Sequence, residues 1–235
     1  MSQTGMAQHR GARQLALDLP HIESYAREDF VAAPSNADAL ATVERWPDWP
    51  APVLALIGPE GSGKSHLAAI WAAEAGARFL SGRALRQADL PAALVTGALV
   101  LEDVGADTDE RALFHLLNLA REEAAFLLLT ARSLPSAWPT SVPDLASRLR
   151  AILTVALAAP DDSLLRAVLV KLFADRQLQV DEGLIAFLLA RIERSLSAAK
   201  TAVSRLDEEA LRLRRPVNRA LAAELFREGP GSGLV

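Results

Sequence analysis

Gly58-Pro59-Glu60-Gly61-Ser62-Gly63-Lys64-Ser65 is the stretch on which the fold turns. It satisfies G-x-x-x-x-G-K-[ST] at every fixed position. Glycines let successive backbone N–H groups face one anion. A helix starting at Lys64 points the positive end of its dipole at the same anion. The flanks supply the setting the motif needs. Val53-Leu54-Ala55-Leu56-Ile57 is a short apolar run and reads as a buried parallel strand. Lys64 to Ala75 reads as a helix, which Gly76 ends. Strand, glycine loop and helix in this order predict a phosphate-binding loop. Gly58, Pro59, Glu60, Gly61, Ser62 and Gly63 wrap the phosphates, Lys64 reaches the β- and γ-phosphates, Ser65 ligates Mg²⁺, and His66 follows at the edge of the site.

Downstream, Arg78 to Leu80, Ala98 to Leu101, Phe126 to Thr130 and Ile152 to Ala156 read as further strands. Asp109 to Glu123 reads as an amphipathic helix, and Leu145 to Arg150 as a helical turn. This alternation predicts an α/β fold with a mostly parallel, doubly wound sheet. The third strand ends in Glu102-Asp103, the acid pair that a nucleotide site needs for Mg²⁺ and for the attacking water. Glu102 is expected near the metal and Asp103 near the water. After Pro160 the pattern changes. Ser163–Arg176, Glu182–Arg191, Ser195–Arg214 and Asn218–Phe226 read as helices with no strand between them, a small helical lid behind the sheet. Upstream, Asn36 is positioned to cap a helix from Ala37 to Arg45, and the proline-rich Trp46–Pro52 ends it.

The organisation expected is a flexible tail over 1–24, an α/β nucleotide-binding base over 25–159, a helical lid over 160–228 and a flexible end over 229–235. Within the first tail, Gln14-Leu15-Ala16-Leu17-Asp18-Leu19-Pro20 is an apolar island in polar sequence. It has a partner groove to gain and little packing value where it stands.

Composition narrows the chemistry. The chain has 235 residues, 51% hydrophobic and 23% charged, enough for a packed core. The apolar content is mostly Ala and Leu, which favours helices. With no cysteine, disulfides, thiol catalysis and thiolate metal sites are excluded. The four histidines, His9, His21, His66 and His115, have no metal-ligand spacing. A net charge of −4 argues against a basic field that wraps nucleic acid, so any DNA contact is expected to be indirect. No apolar run is long enough to span a bilayer and no secretory pattern opens the chain. A cytoplasmic protein is expected.

Further segments carry a resemblance. Asp29-Phe30-Val31-Ala32-Ala33-Pro34-Ser35-Asn36 resembles the segment just before the nucleotide domain of DnaA, the bacterial replication initiator, which is an AAA+ protein. Leu127 to Thr130, with Arg132 and Pro135, resembles that family's sensor 1 strand. Pro143 to Leu149 is similar to its box VII, and Arg191 to Leu196 to its sensor 2 helix. The resemblance implies an α/β base with a helical lid, and ADP or ATP with Mg²⁺ as the ligand. It implies roles for single residues as well. Arg148 would be an arginine finger in trans, Arg194 would touch the phosphates from the lid, and Phe30 and Val31 would pack against adenine or simply join the core.

The chain also departs from that pattern. The acid pair is Glu then Asp, and Thr130-Ala131-Arg132 stands where initiators carry a sensor 1 aspartate. Weak or no hydrolysis in its own site is expected. The chain stops soon after the lid, so the C-terminal DNA-binding domain of DnaA is not expected. The island with Gln14, Leu15, Leu17, Leu19 and Pro20 resembles a peptide that binds the sliding clamp, the β subunit of DNA polymerase III. Together these features imply a clamp-tethered regulator that promotes hydrolysis of DnaA-bound ATP, with homo-oligomers open as a further state. A helicase-loader-like DNA-remodelling ATPase is the alternative, and a P-loop kinase of small molecules is a third class.

Overall fold

The computed structural model describes residues 25–226. Five strands form one parallel sheet: β1 (Val53–Ile57), β2 (Arg78–Ser81), β3 (Ala98–Val104), β4 (Phe126–Ala131) and β5 (Leu153–Ala156), in the order β2-β3-β4-β1-β5. The helices on the sheet are α1 (Ala37–Glu44), α2 (Lys64–Ala75), the short α3 (Leu90–Ala93), α4 (Glu110–Glu122) and α5 (Pro143–Ala151). Four more follow the last strand: α6 (Asp162–Asp175), α7 (Glu182–Leu189), α8 (Leu196–Leu213) and α9 (Arg219–Leu225).

The strand sequences explain the layering. In β1, Leu54 and Leu56 face one side of the sheet while Ala55 and Ile57 face the other, and all four are buried. A parallel strand covered on both faces reads as an unbroken apolar run, as this one does. On one face Leu54, Leu56, Val100 and Leu128 pack against Leu67, Ala68 and Trp71 of α2 and against Ala39 and Val43 of α1. On the other, Leu99, Leu101, Leu127 and Leu129 meet Leu113, Leu116 and Leu117 of α4 and Leu145 and Leu149 of α5. Trp71 is fully buried and stacks on Trp49 at 5.2 Å between ring centroids. The proline-rich connector is thus pinned to the core.

Helices α6 to α9 enclose a separate core built around Leu169, Phe173, Leu188, Ala202, Val203 and Leu206. Helices α4, α6, α7, α8 and α9 each begin at a residue whose side chain accepts a backbone N–H of the first turn: Asp109, Asp161, Asp181, Ser195 and Asn218. Each such cap contributes about 1 kcal/mol.

The expected strands and helices are present with small shifts at their ends, α7 for instance stopping at Leu189 instead of Arg191. β3 continues through Glu102 and Asp103 to Val104, and its register against β4 shifts between Leu101 and Val104. The helix expected from Leu145 starts two residues earlier, because Pro143 is well suited to a first turn. Helix α3, capped by Asp89, has too short a sequence period to be anticipated. Among the described residues no helix is long and apolar enough to cross a membrane.

Candidate functional site

β1 runs into the glycine loop at the C-terminal edge of the sheet, where β1 sits between β4 and β5. Open parallel sheets place ligands at this edge, beside strands whose connections diverge. The loop is shaped by two left-handed residues, Gly61 at φ 68° and Gly63 at φ 100°. Gly61 is doubly constrained, since a Cβ there would lie 2.6 Å from the Ser195 Cβ. At Gly58 a Cβ would lie 2.4 Å from the Leu157 carbonyl oxygen. The loop is therefore sandwiched between the chain leaving β5 and the start of α8.

Helix α2 opens at Gly63 with no side chain capping its first turn. Its first N–H groups, which have no intrahelical acceptor, are left for a ligand. Ser62 is 2% exposed and its Oγ has no hydrogen-bond partner. A buried hydroxyl in that condition is costly unless something else satisfies it. Lys64 is also buried, and its Nζ donates to the carbonyls of Gly58 (2.9 Å) and Pro59 (2.7 Å). Burial pushes the Lys64 ammonium below its ordinary range, and the Arg132 charge adds to this. Asp103 and Glu60 oppose both. The features of this loop all call for an anion.

The acid pair is arranged by the shifted register. Asp103 adopts a left-handed φ of 53°, and its N–H donates to the Thr130 Oγ1 at 3.0 Å. Thr130 is itself 1% exposed at the end of β4. Of the two carboxylates, Asp103 is the one whose charge acts on Lys64. Glu102 lies in register with Ser81 of β2. Sequence reasoning gave Thr130 no role of its own, because a buried threonine in an apolar strand carries no local signal.

Next to the loop, Arg132 donates to Glu60 at 2.5 Å, with the two side chains 70% and 74% exposed. From the other side, the Leu196 N–H donates to the Gly61 carbonyl at 2.8 Å, and Ser195 and Ser197 pack over Gly61. Arg194, expected to touch phosphates, is directed elsewhere. It pairs with Asp162 of α6 at 3.0 Å, out in solvent. Arg194 stands just before Ser195, the N-cap of α8.

Phe30 and Val31 line a cavity of about 120 Å³ that opens to solvent, together with Asn36, His66, Leu164 and Leu196. Phe30 also belongs to the core around α2. His66 meets Phe30 and Tyr25 edge-on at 5.2 and 5.4 Å, and its Nε2 lies 3.0 Å from the Ala26 carbonyl. Asn36 fixes the segment by donating to the Val31 carbonyl and accepting the Ala33 N–H.

Arg148 lies away on α5, its guanidinium over the Phe114 ring of α4 at 5.3 Å. The start of α5 is tied to the same helix. Glu110 accepts from Thr140 Oγ1 (2.8 Å), Ser141 N (2.8 Å) and Ser141 Oγ (3.1 Å). These bonds hold the Glu110 carboxyl below its ordinary range. Glu110 and Phe114 are four residues apart on α4 and face one neighbour, a pairing visible only once α5 is docked. Near the end of α8, Arg212 pairs with Glu209 and Arg215 with Glu224. Gln14, Leu15, Leu17, Leu19 and Pro20 lie outside the described residues.

A phosphate loop on β1, an acid at the end of β3 and the strand order β2-β3-β4-β1-β5 define the AAA+ P-loop fold. No protein-family model matches the sequence. The chain is 26% identical over 241 aligned residues to the chromosomal replication initiator DnaA of Thermomicrobium roseum, covering 87% of this chain and 50% of that protein. It thus spans about half the length of that curated relative. Domain III of Thermotoga maritima DnaA superposes with a TM-score of 0.73 at 18% identity, over 88% of this chain and 97% of that one. The Thermotoga maritima RuvB branch-migration motor gives 0.68 at 18% identity, over 87% and 72%. DnaA of Aquifex aeolicus with AMPPCP bound gives 0.64 at 17% identity, over 80% and 66%. Sequence and fold agree on a DnaA-like AAA+ module.

Proposed function

We propose that this protein is a DnaA-directed regulator of the Hda type. It binds ADP or ATP in the Gly58–Ser65 loop and offers Arg148 to ATP held by DnaA. Hydrolysis of that ATP would prevent over-initiation of DNA replication. Support for nucleotide binding begins with the loop itself, whose buried Ser62 hydroxyl and uncapped helix start are matched by phosphate oxygens. Lys64 meets the β- and γ-phosphates there. Ser65 with Glu102 or Asp103 holds Mg²⁺, which when bound neutralises phosphate charge. Phe30 and Val31 flank the base, and Arg194 joins the phosphates only if it leaves Asp162.

The observation that carries the regulatory reading is the placement of Arg148. Its guanidinium rests on Phe114 of α4, with no carboxylate in salt-bridge range among the described residues. A guanidinium held by a ring on a docked helix is available to a second molecule. Such a finger in trans raises hydrolysis by roughly 10³–10⁵-fold. Own-site turnover is weak, because Asp103, in the water-positioning place of the pair, carries a short side chain that reaches a water poorly. The segment Gln14–Pro20 tethers the protein to the sliding clamp, so contact with DNA is indirect.

The test is turnover of DnaA-bound ATP with clamp loaded on DNA. Arg148→Ala abolishes stimulation while nucleotide binding persists, and equal stimulation by the variant excludes the finger. Retention of clamp binding by a Gln14→Ala, Leu15→Ala double variant excludes the tether.

A further inference from the structure

Two separate bodies wall the cavity beside Phe30. Asp29, Phe30 and Val31 come from the segment before α1, and Leu164, Val168 and Lys171 come from α6. Phe30 belongs to the core around α2, whereas Val168 packs on the core enclosed by α6 to α9. An ion pair joins the two walls. Lys171 Nζ lies 2.7 Å from Asp29 Oδ1, with the side chains 30% and 24% exposed. The bond to Asp29 is the foremost reason that the Lys171 ammonium is held above its ordinary range. The Leu196 N–H on the Gly61 carbonyl and Lys200 over the Tyr25 ring also cross from the helices after β5, and neither joins opposite charges. Arg194 is occupied with Asp162 of α6 and does not cross at all.

Sites for small molecules enclose roughly 300–1,000 Å³. At about 120 Å³ this cavity is too small for a nucleobase with its sugar. Its walls must part before a nucleoside enters, and parting them separates Lys171 from Asp29. We infer that the Asp29–Lys171 pair is an autoinhibitory latch, which holds α6 closed on the nucleobase subsite. A nucleotide then binds only the fraction of molecules in which the latch is open, and apparent affinity falls in proportion to that fraction. The inference rests on nucleotide binding in the loop and on nothing about DnaA or the clamp.

The experiment measures ADP affinity by calorimetry, and its rate of entry by stopped flow with methylanthraniloyl-ADP, on the full chain and its variants. Lys64→Ala is the control for the site. Asp29→Asn and Lys171→Met are each expected to tighten ADP about fivefold and to speed its entry, the scale of one partly screened ion pair. The direction is the signature. Asp29→Asn removes a negative charge and Lys171→Met a positive one, so plain attraction for phosphate moves the two affinities oppositely, whereas the latch moves them together. The double variant gains no more than either single one, because both break the same contact. Asp175→Asn, which removes the neighbour of Lys171 within α6, leaves affinity and entry unchanged. Thermal melting checks that each variant is folded, and Lys171→Gln serves as a second variant at that position. Opposite shifts, weaker ADP in both, no shift, or additive gains overturn the inference and leave nucleotide binding intact. If the parent binds no ADP, or Lys64→Ala binds as well as the parent, the underlying reading fails and the inference with it.

Discussion

Lys64 and Arg148 are both cations at helical positions beside the sheet, yet the molecule treats them oppositely. Lys64 is buried, clasped by two carbonyls of its own loop and depressed in basicity by that burial. Arg148 sits on the flank of a docked helix, and its contact is the face of Phe114. The first environment is built around a ligand that enters this chain. On the proposed reading the first cation completes a site within this chain and the second is offered to another molecule, so the one is desolvated in advance and the other stays accessible.

The contrast yields experiments of graded size. Lys64→Met should cut nucleotide affinity about a hundredfold, the loss of a hydrogen-bonded charge worth about 2–3 kcal/mol, measured by calorimetry. The same change should raise the melting temperature of the ligand-free protein. Folding lowers the Lys64 pKa, so the charged form opposes folding at neutral pH and that penalty fades only as pH rises through the folded value. A melting temperature that falls instead would show that the carbonyl bonds outweigh desolvation.

Gly61→Ala should destabilise by about 1–3 kcal/mol in chemical denaturation, since it forces a left-handed residue against Ser195. It should also loosen α8 from the loop, visible as faster hydrogen exchange at the Leu196 amide. Phe114→Leu should cost little more than the cation–π contact, about 0.5–1 kcal/mol, while lowering the effect of Arg148 on a partner ATPase. Unaltered partner stimulation would mean that the ring does not position the guanidinium.

The smallest effect concerns acid. Folding holds Glu110 below its ordinary value of 4.5. Its contribution is therefore complete above that value and is lost as pH falls through the lower folded value. Glu110→Gln should flatten the acid limb of the stability profile and leave stability at neutral pH changed only slightly. A parent and variant with parallel acid limbs would place the titration elsewhere.

The readings divide along the same line as the two cations. The phosphate loop, the strands that bracket it, the acid pair and the switch from alternating elements to helices all rest on contiguous residues, and the structure contains them. Asp103 with Thr130, Glu110 with Ser141, and Arg148 with Phe114 join residues distant in the chain, and no local pattern announced them. The segment of Arg194 resembles a phosphate-sensing helix, while its side chain pairs with Asp162, a partner 32 residues away that no local pattern announced.

The amino-acid sequence by itself determined the backbone chemistry of the loop, because glycine spacing, helix start and strand hydropathy act over a few residues. Only the tertiary structure decided that Asp103 bonds to Thr130 and where Arg132 and Arg148 rest. Those outcomes depend on strand register and helix docking, which sum many weak contacts across the sheet.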